Sequence, residues 1–235
     1  TWKVFEKPTI GLSNSTITPD IPDVPSNDTK LTVHTSYDSI AESLSGLTFN
    51  KDKTLLYGVG DKGTIYSFDL SKETLDASLI TYDTSINIGE TTTNGRIGDF
   101  EAITYCSQDD KFYILNETPA IIYTFDTSTR VLEEVAVFED GDNINTGKNG
   151  FEGLTYYEKK KFFIGHQETA GLYKFNLKDE PPTLKPVDET NLPLLKEHIT
   201  EIADLYFDGT NIYLTNGFAN TSLGSKLSVV VRFKV

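Results

Sequence analysis

Methionine is absent from this chain of 235 residues, and cysteine occurs once, at Cys106. A lone thiol forms no intrachain disulfide and gathers no thiolate cluster around a metal, so Cys106 reads as a small strand residue. The chain starts at Thr1, from which we expect an initiator and a signal segment to lie upstream. No apolar run approaches the roughly 18 residues a membrane helix needs, so no transmembrane segment is expected within these residues. Basic residues are scarce as well: 21 Lys and Arg stand against 35 Asp and Glu, a net charge of -14. That balance makes nucleic acid and an anionic membrane poor partners for the whole molecule and cations and cationic groups better ones.

Familiar chemical signatures are missing too. His34, His166 and His198 are scattered, and no pair has metal-ligand spacing such as H-x-x-x-H. Only His166, beside Gln167 and Glu168, stands near other polar groups, and a single histidine at a strand end is more often structural than catalytic. There is no G-x-S-x-G elbow and no P-loop, and Gly58-Val-Gly60 lacks the third glycine and the helix of a dinucleotide fingerprint. The run Lys159-Lys-Lys161 reads as a solvated hairpin tip. Sequons at Asn14, Asn27, Asn116 and Asn220 are expected by chance in a chain this rich in Asn and Thr.

What the chain does have is repetition. Leu44-Ser-Gly-Leu-Thr-Phe49, Phe100-Glu-Ala-Ile-Thr-Tyr105, Phe151-Glu-Gly-Leu-Thr-Tyr156 and Ile202-Ala-Asp-Leu-Tyr-Phe207 align, with steps of 56, 51 and 51 residues. Each is followed by a polar turn and a second strand pattern: Thr54 to Tyr57, Phe112 to Leu115, Phe162 to Gly165 and Ile212 to Thr215. A third follows in every unit, at Ile65 to Asp69, Ile122 to Asp126, Leu172 to Asn176 and Val230 to Lys234. These runs are short, β-branched or aromatic, and bounded by turn formers. Weaker fourth strands fit Ser78 to Tyr82 and Glu134 to Phe138. Only Leu192 to Ile202 has room for a helical turn.

Units of about fifty residues with up to four strands predict an all-β chain, a β-propeller of four-stranded antiparallel blades with four clear repeats. Leu47, Ile103, Leu154 and Leu205 fall on the innermost strands, and Phe68, Phe125, Phe175 and Phe233 on the third, where they are expected to pack between blades. The last unit ends after its third strand, and the pattern Lys30 to Tyr37 is suited to supply the missing outer strand and close the ring, removing exposed edges. We therefore expect residues 1–29 to form an approach segment and residues 30–235 a single propeller domain.

In an antiparallel meander the start of the first strand and the end of the second share one sheet edge. Glu152 and Glu168 occupy those places and are sixteen residues apart, as are Glu101 and Glu117; the first unit has Ser45 and Asp61 there. Like charges collected at a channel mouth raise one another's proton affinity or require a counter-cation. Calcium is the simplest counter-ion, because carboxylates and carbonyls are its usual ligands. The expected metal ligands are Glu101, Glu117, Glu152 and Glu168, followed by Asp61 and Asp99. The plainer alternative is that these acids are solvated at loop edges or accept hydrogen bonds from amides of the next blade.

The segments Asp99-Phe-Glu-Ala-Ile-Thr-Tyr105 with Ile114-Leu-Asn-Glu117, and Gly150-Phe-Glu-Gly-Leu-Thr-Tyr156 with Gln167-Glu168, resemble the repeat signatures of the SdiA-regulated (YjiK-like) β-propeller family. Similar glutamate-bearing blades occur in the esterase-like phytase group. The resemblance covers roughly Ser39 to Val235 and is most specific over the two central units. It implies a five-bladed propeller, usually extracytoplasmic in bacteria, with a calcium site on its acidic face. The chain departs from that pattern in showing four clear units and in carrying Ala203 where the central units carry glutamate.

Two functions follow. One is an extracytoplasmic, monomeric binding module whose acidic mouth, with Ca2+ bound, engages a small ligand or protein partner. The other is a metal-dependent phosphoesterase resembling the esterase-like phytases, in which ions held by the glutamates position a phosphate and activate water. Arg96 is the only arginine near the motif residues in sequence, a thin cationic set for phosphate, so binding is the preferred reading.

Overall fold

A computed structural model divides the chain into two units, Thr1–Ser36 and Tyr37–Val235. It describes residues 44–60, 62–72, 77–83, 98–138, 150–187, 201–220 and 226–234, all in the second unit. The N-terminal closing strand expected at Lys30 to Tyr37, the helical turn expected from Leu192, and Asp61 and Arg96 lie outside the described residues. No helix is present among those described, and none is long and apolar enough to cross a membrane.

The first sheet holds β1 (Leu44–Phe49), β2 (Leu55–Gly60), β3 (Thr64–Asp69) and β4 (Ala77–Ile80). The second holds β5 (Phe100–Cys106), β6 (Lys111–Asn116), β7 (Ala120–Asp126) and β8 (Val131–Phe138). The third holds β9 (Phe151–Glu158), β10 (Lys161–His166), β11 (Gly171–Asn176) and β12 (Lys185–Pro186), and the fourth β13 (Asp204–Phe207), β14 (Asn211–Asn220) and β15 (Lys226–Lys234). Within each sheet the strands lie in chain order and pair antiparallel, so each sheet is a meander and each is one propeller blade.

The turns follow from local chemistry. Blades one to three close their third strand on an Asp or Asn whose carboxyl or amide oxygen accepts the N–H two residues on: Ser71 to Asp69, Ser128 to Asp126 and Lys178 to Asn176, at 2.8–3.0 Å. Asn50 does the same work in the first hairpin, accepting from the amides of Thr54 and Leu55. Short β12 was not foreseen. It lies in a Pro-rich stretch with no alternating pattern, and Pro186 pairs opposite Tyr173 at the outer edge, where a missing donor is tolerated.

The core lies between blades. Tyr57, Val59 and Ile65 of blade one pack with Phe100, Ile103 and Phe112 of blade two. Tyr113, Leu115 and Ile122 of blade two meet Phe151, Leu154 and Phe162 of blade three. Phe163 and Leu172 of blade three meet Leu205, Ile212 and Leu214 of blade four. The third-strand phenylalanines hold one register, pairing Phe68 with Leu56, Phe125 with Phe112, Phe175 with Phe162 and Phe233 with Ile212. Phe125 and Phe175 are buried between blades as expected, while Phe68 is only partly buried.

The innermost strands lie side by side, β1 beside β5, β5 beside β9 and β9 beside β13. Threonine hydroxyls join them: Thr104 accepts from the amide of Tyr156, and Thr155 from that of Phe207, both at 3.1 Å. A Cβ on Gly46 would stand 2.7 Å from the Ala102 Cα, so a glycine is needed for that approach. Ile103, Leu154 and Leu205 are at most 5% exposed because each packs against the preceding blade, whereas Leu47 in the same column is 48% exposed.

Candidate metal centre

The site is built on a repeated irregularity of the innermost strands. Phe100 pairs with Asn116 and Ala102 with Leu115, leaving Glu101 as an extra, bulged residue. Glu152 is the extra residue of the same bulge in blade three, between Phe151 opposite His166 and Gly153 opposite Gly165. Ser45 holds that place in blade one. The bulge shifts the alternation by one, so Phe100 faces blade one together with Ile103, three residues away, while Ala102 faces blade three. Glu101 is left half-buried between two buried neighbours at the strand entrance.

The end of β6 is tied to this entrance. Glu117 donates its amide to the Asp99 carbonyl at 2.8 Å, and Asp99 donates its own amide to the Asn116 side-chain oxygen at 3.3 Å. Asn116 is fully buried and spends its side-chain amide on the Pro119 carbonyl. The result is a convergence of carboxylates: one oxygen from each of Asp99, Glu101 and Glu117 lies within 4.8 Å of the others, and all three residues are half-buried. One Glu117 oxygen also accepts the amide of Gly150 in blade three, at 2.6 Å.

Glu152 stands next to this group. Burial, followed by the charges of Glu101, Glu117, Glu201 and Asp204, pushes its carboxyl up to about 8. Burial likewise pushes Asp204 up to about 7, partly offset by the Leu205 amide that it accepts at 2.7 Å. Both carboxyls are thus shifted toward their protonated forms.

Of the expected ligands, the structure brings together Asp99, Glu101 and Glu117, and sets Glu152 within their field. Glu168 lies apart, exposed in the turn between β10 and β11. The equal spacing of the two glutamate pairs is misleading, because the path from Phe151 to its partner His166 is one residue shorter than that from Phe100 to Asn116. Gln167, which donates its amide to the Gly150 carbonyl at 2.9 Å, is the counterpart of Glu117. His166 is the counterpart of Asn116; it is fully buried, its Nδ1 accepts the Thr169 amide at 3.3 Å, and it packs edge-on against Phe151.

Two acids escaped the sequence reading. Glu201 and Asp204 flank Ala203, and the alignment followed only the column in which Ala203 replaces glutamate. The signal lay two positions before that column and one after it: Glu201 aligns with Asp99, and Asp204 follows Ala203 directly.

The donors are all carboxylate oxygens, a set suited to a hard cation. Two oxygens bound to one calcium at 2.3–2.6 Å can stand at most roughly 5 Å apart. The oxygens of Asp99, Glu101 and Glu117, all within 4.8 Å of one another, fall inside that limit.

A structural genomics protein of unknown function from Bacteroides thetaiotaomicron VPI-5482 superposes with a TM-score of 0.50 at 15% identity, covering 80% of this chain and 47% of that one. The WD40 repeats of RRP9 give 0.47 at 9% identity, with 81% and 52% covered, and a nidogen/laminin complex gives 0.48 at 9%, with 74% and 57% covered. The chain thus spans about half the length of these proteins. No curated protein sequence matches it. The phytase-like family model, described as esterase-like activity of phytase, matches residues 41–198, which include every described acid of the site except Glu201 and Asp204. That match spans more than half of the sequence, and the chain belongs to the phytase-like family.

Proposed function

We propose that this propeller binds a divalent cation, calcium in the first instance, through Asp99, Glu101 and Glu117, and uses the bound ion to engage an oxygen-rich ligand. The observation that carries the reading is the convergence of those three carboxylates within 4.8 Å. Three negative charges so close repel one another strongly where water is partly excluded, and a divalent ion relieves that repulsion. A cation bound there would also lower the proton affinity of Glu152, which lies in the field of these acids. When bound, the ion supplies Lewis acidity and a template for anionic oxygens. The acids of this chain hold it, and the half-buried setting limits competition from water.

Family membership favours a second reading, hydrolysis of a phosphoric ester at the same ion. In it Glu152, which keeps its proton near neutrality, is suited to exchange a proton with attacking water or leaving group. The extracytoplasmic location, the monomeric state and the kinship with SdiA-regulated propellers belong to the proposal as well, on the strength of the repeat signatures.

Isothermal titration with calcium tests the first reading. The wild-type chain should take up calcium with proton release from Glu152, and the E101Q/E117Q double variant should bind at least tenfold more weakly, as expected when charged ligands are lost. No heat with wild type sinks the proposal. Phosphate release from phytate, with calcium and with chelator, separates hydrolysis from binding alone.

A further inference from the structure

The aim of Glu117 is set from outside its own blade. Glu117 sits just past β6, half-buried in the turn that leads to β7. What meets it is Gly150, the residue before β9 in blade three. The Gly150 amide donates to a Glu117 carboxylate oxygen at 2.6 Å, a short, charge-assisted hydrogen bond. A Cβ built on Gly150 would lie 2.9 Å from Glu117 Cγ and 3.1 Å from the Glu117 carbonyl oxygen, so the glutamate fills the space that any side chain would occupy. Gly150 itself is buried, and its carbonyl accepts the Gln167 amide at 2.9 Å, which ties the following peptide to the end of β10. The positions that align with it in blades two and four carry Asp99 and Glu201, so a glycine here is not a demand of the blade repeat.

We propose that Gly150 is a positioning residue for the cation site: its amide and its missing side chain together hold Glu117 toward Asp99 and Glu101. The inference rests on the cation reading of those three acids. With the amide bonded to its carboxylate, the Glu117 stem cannot retreat from Gly150 without breaking that bond. Interactions that orient a ligand in this way are commonly worth 10–100-fold in metal affinity.

The test uses the whole chain, with calcium chloride as the probe. In the wild type the Gly150 amide proton should resonate downfield in a nitrogen–proton correlation spectrum, shift on calcium addition, and lose both features in E117Q. Calorimetric titration of G150A should show affinity falling on the order of 10–100-fold, with the unfolding temperature in chelator lowered far less than the calcium-induced rise. E117D, one methylene shorter, should also bind weakly, and G150A/E117D no more weakly than the poorer single variant, because both changes break one contact. If G150A binds calcium like the wild type, if the losses add, or if the Gly150 amide ignores both calcium and E117Q, the positioning role is wrong. Wild type that takes up no calcium overturns the cation reading and this inference with it, whereas wild-type binding with an unaffected G150A overturns the inference alone.

Discussion

At the scale of single residues, one ion pair joins blades two and three. On the turn between β5 and β6, Asp109 accepts from Lys160 of blade three and from the Tyr113 hydroxyl, and the Lys160 ammonium also lies over the Tyr113 ring at 4.8 Å. Burial by itself raises the Asp109 carboxyl, but hydrogen bonds from Lys160, Cys106 and Tyr113 outweigh it and hold the group below the usual range. A carboxyl depressed on folding stabilises the native state above its unfolded value of about 3.9 and loses that contribution as pH falls through the lower folded value. Urea midpoints measured between pH 6 and pH 2 should therefore fall steeply below about pH 4, and D109N should flatten that part of the profile. K160M, which strands a half-buried carboxylate, should cost about 1–3 kcal/mol at pH 7; an unchanged midpoint would remove this pair from the interactions joining blades two and three.

At the scale of strands, the meander order was legible because each strand carries its own pattern and each turn its own breaker. Ile65 to Asp69 and Ile122 to Asp126 end on an Asp whose capping bond the composition already announces. The bulges were not legible. Nothing in Phe100-Glu-Ala-Ile marks Glu101 as an extra residue; the sign is that Phe100 and Ile103 share a face, and contact with blade one is what reveals it. For the same reason the spacing of Glu152 and Glu168 misled, since residue counts carry across hairpins only when turns and bulges match. The threonine links between innermost strands were hidden too, because a half-polar Thr in a strand pattern looks like ordinary alternation. Replacing Thr104 with valine keeps the shape and leaves the Tyr156 amide without its acceptor, so T104V should lose about 1–3 kcal/mol in chemical denaturation while T104S stays close to wild type. Equal stability of T104V and wild type would mean that apolar packing alone holds β5 to β9.

At the scale of the whole described unit, burial is uneven. Blades two and three carry the densest burial, with Ile114, Leu115, Ile122, Phe162 and Ile164 shut off from solvent, whereas blade one presents Leu47 and Phe49 and blade four presents Tyr206 and Val230. Amide exchange should follow that gradient, slowest on β6, β7 and β10 and fastest on β4 and β12, because protection tracks the free energy of local opening. Uniform rates across the four blades would contradict this hierarchy. The hydrogen bond between Gly150 and Glu117 has a consequence for how the site is assembled. Asp99, Glu101 and Glu117 belong to one repeat, yet the group that aims Glu117 belongs to the next. A single repeat taken alone would hold the carboxylates without the amide that bonds Glu117. On the cation reading, the site is complete only where two repeats stand in tandem, one supplying the three acids and the next the glycine that makes room for Glu117.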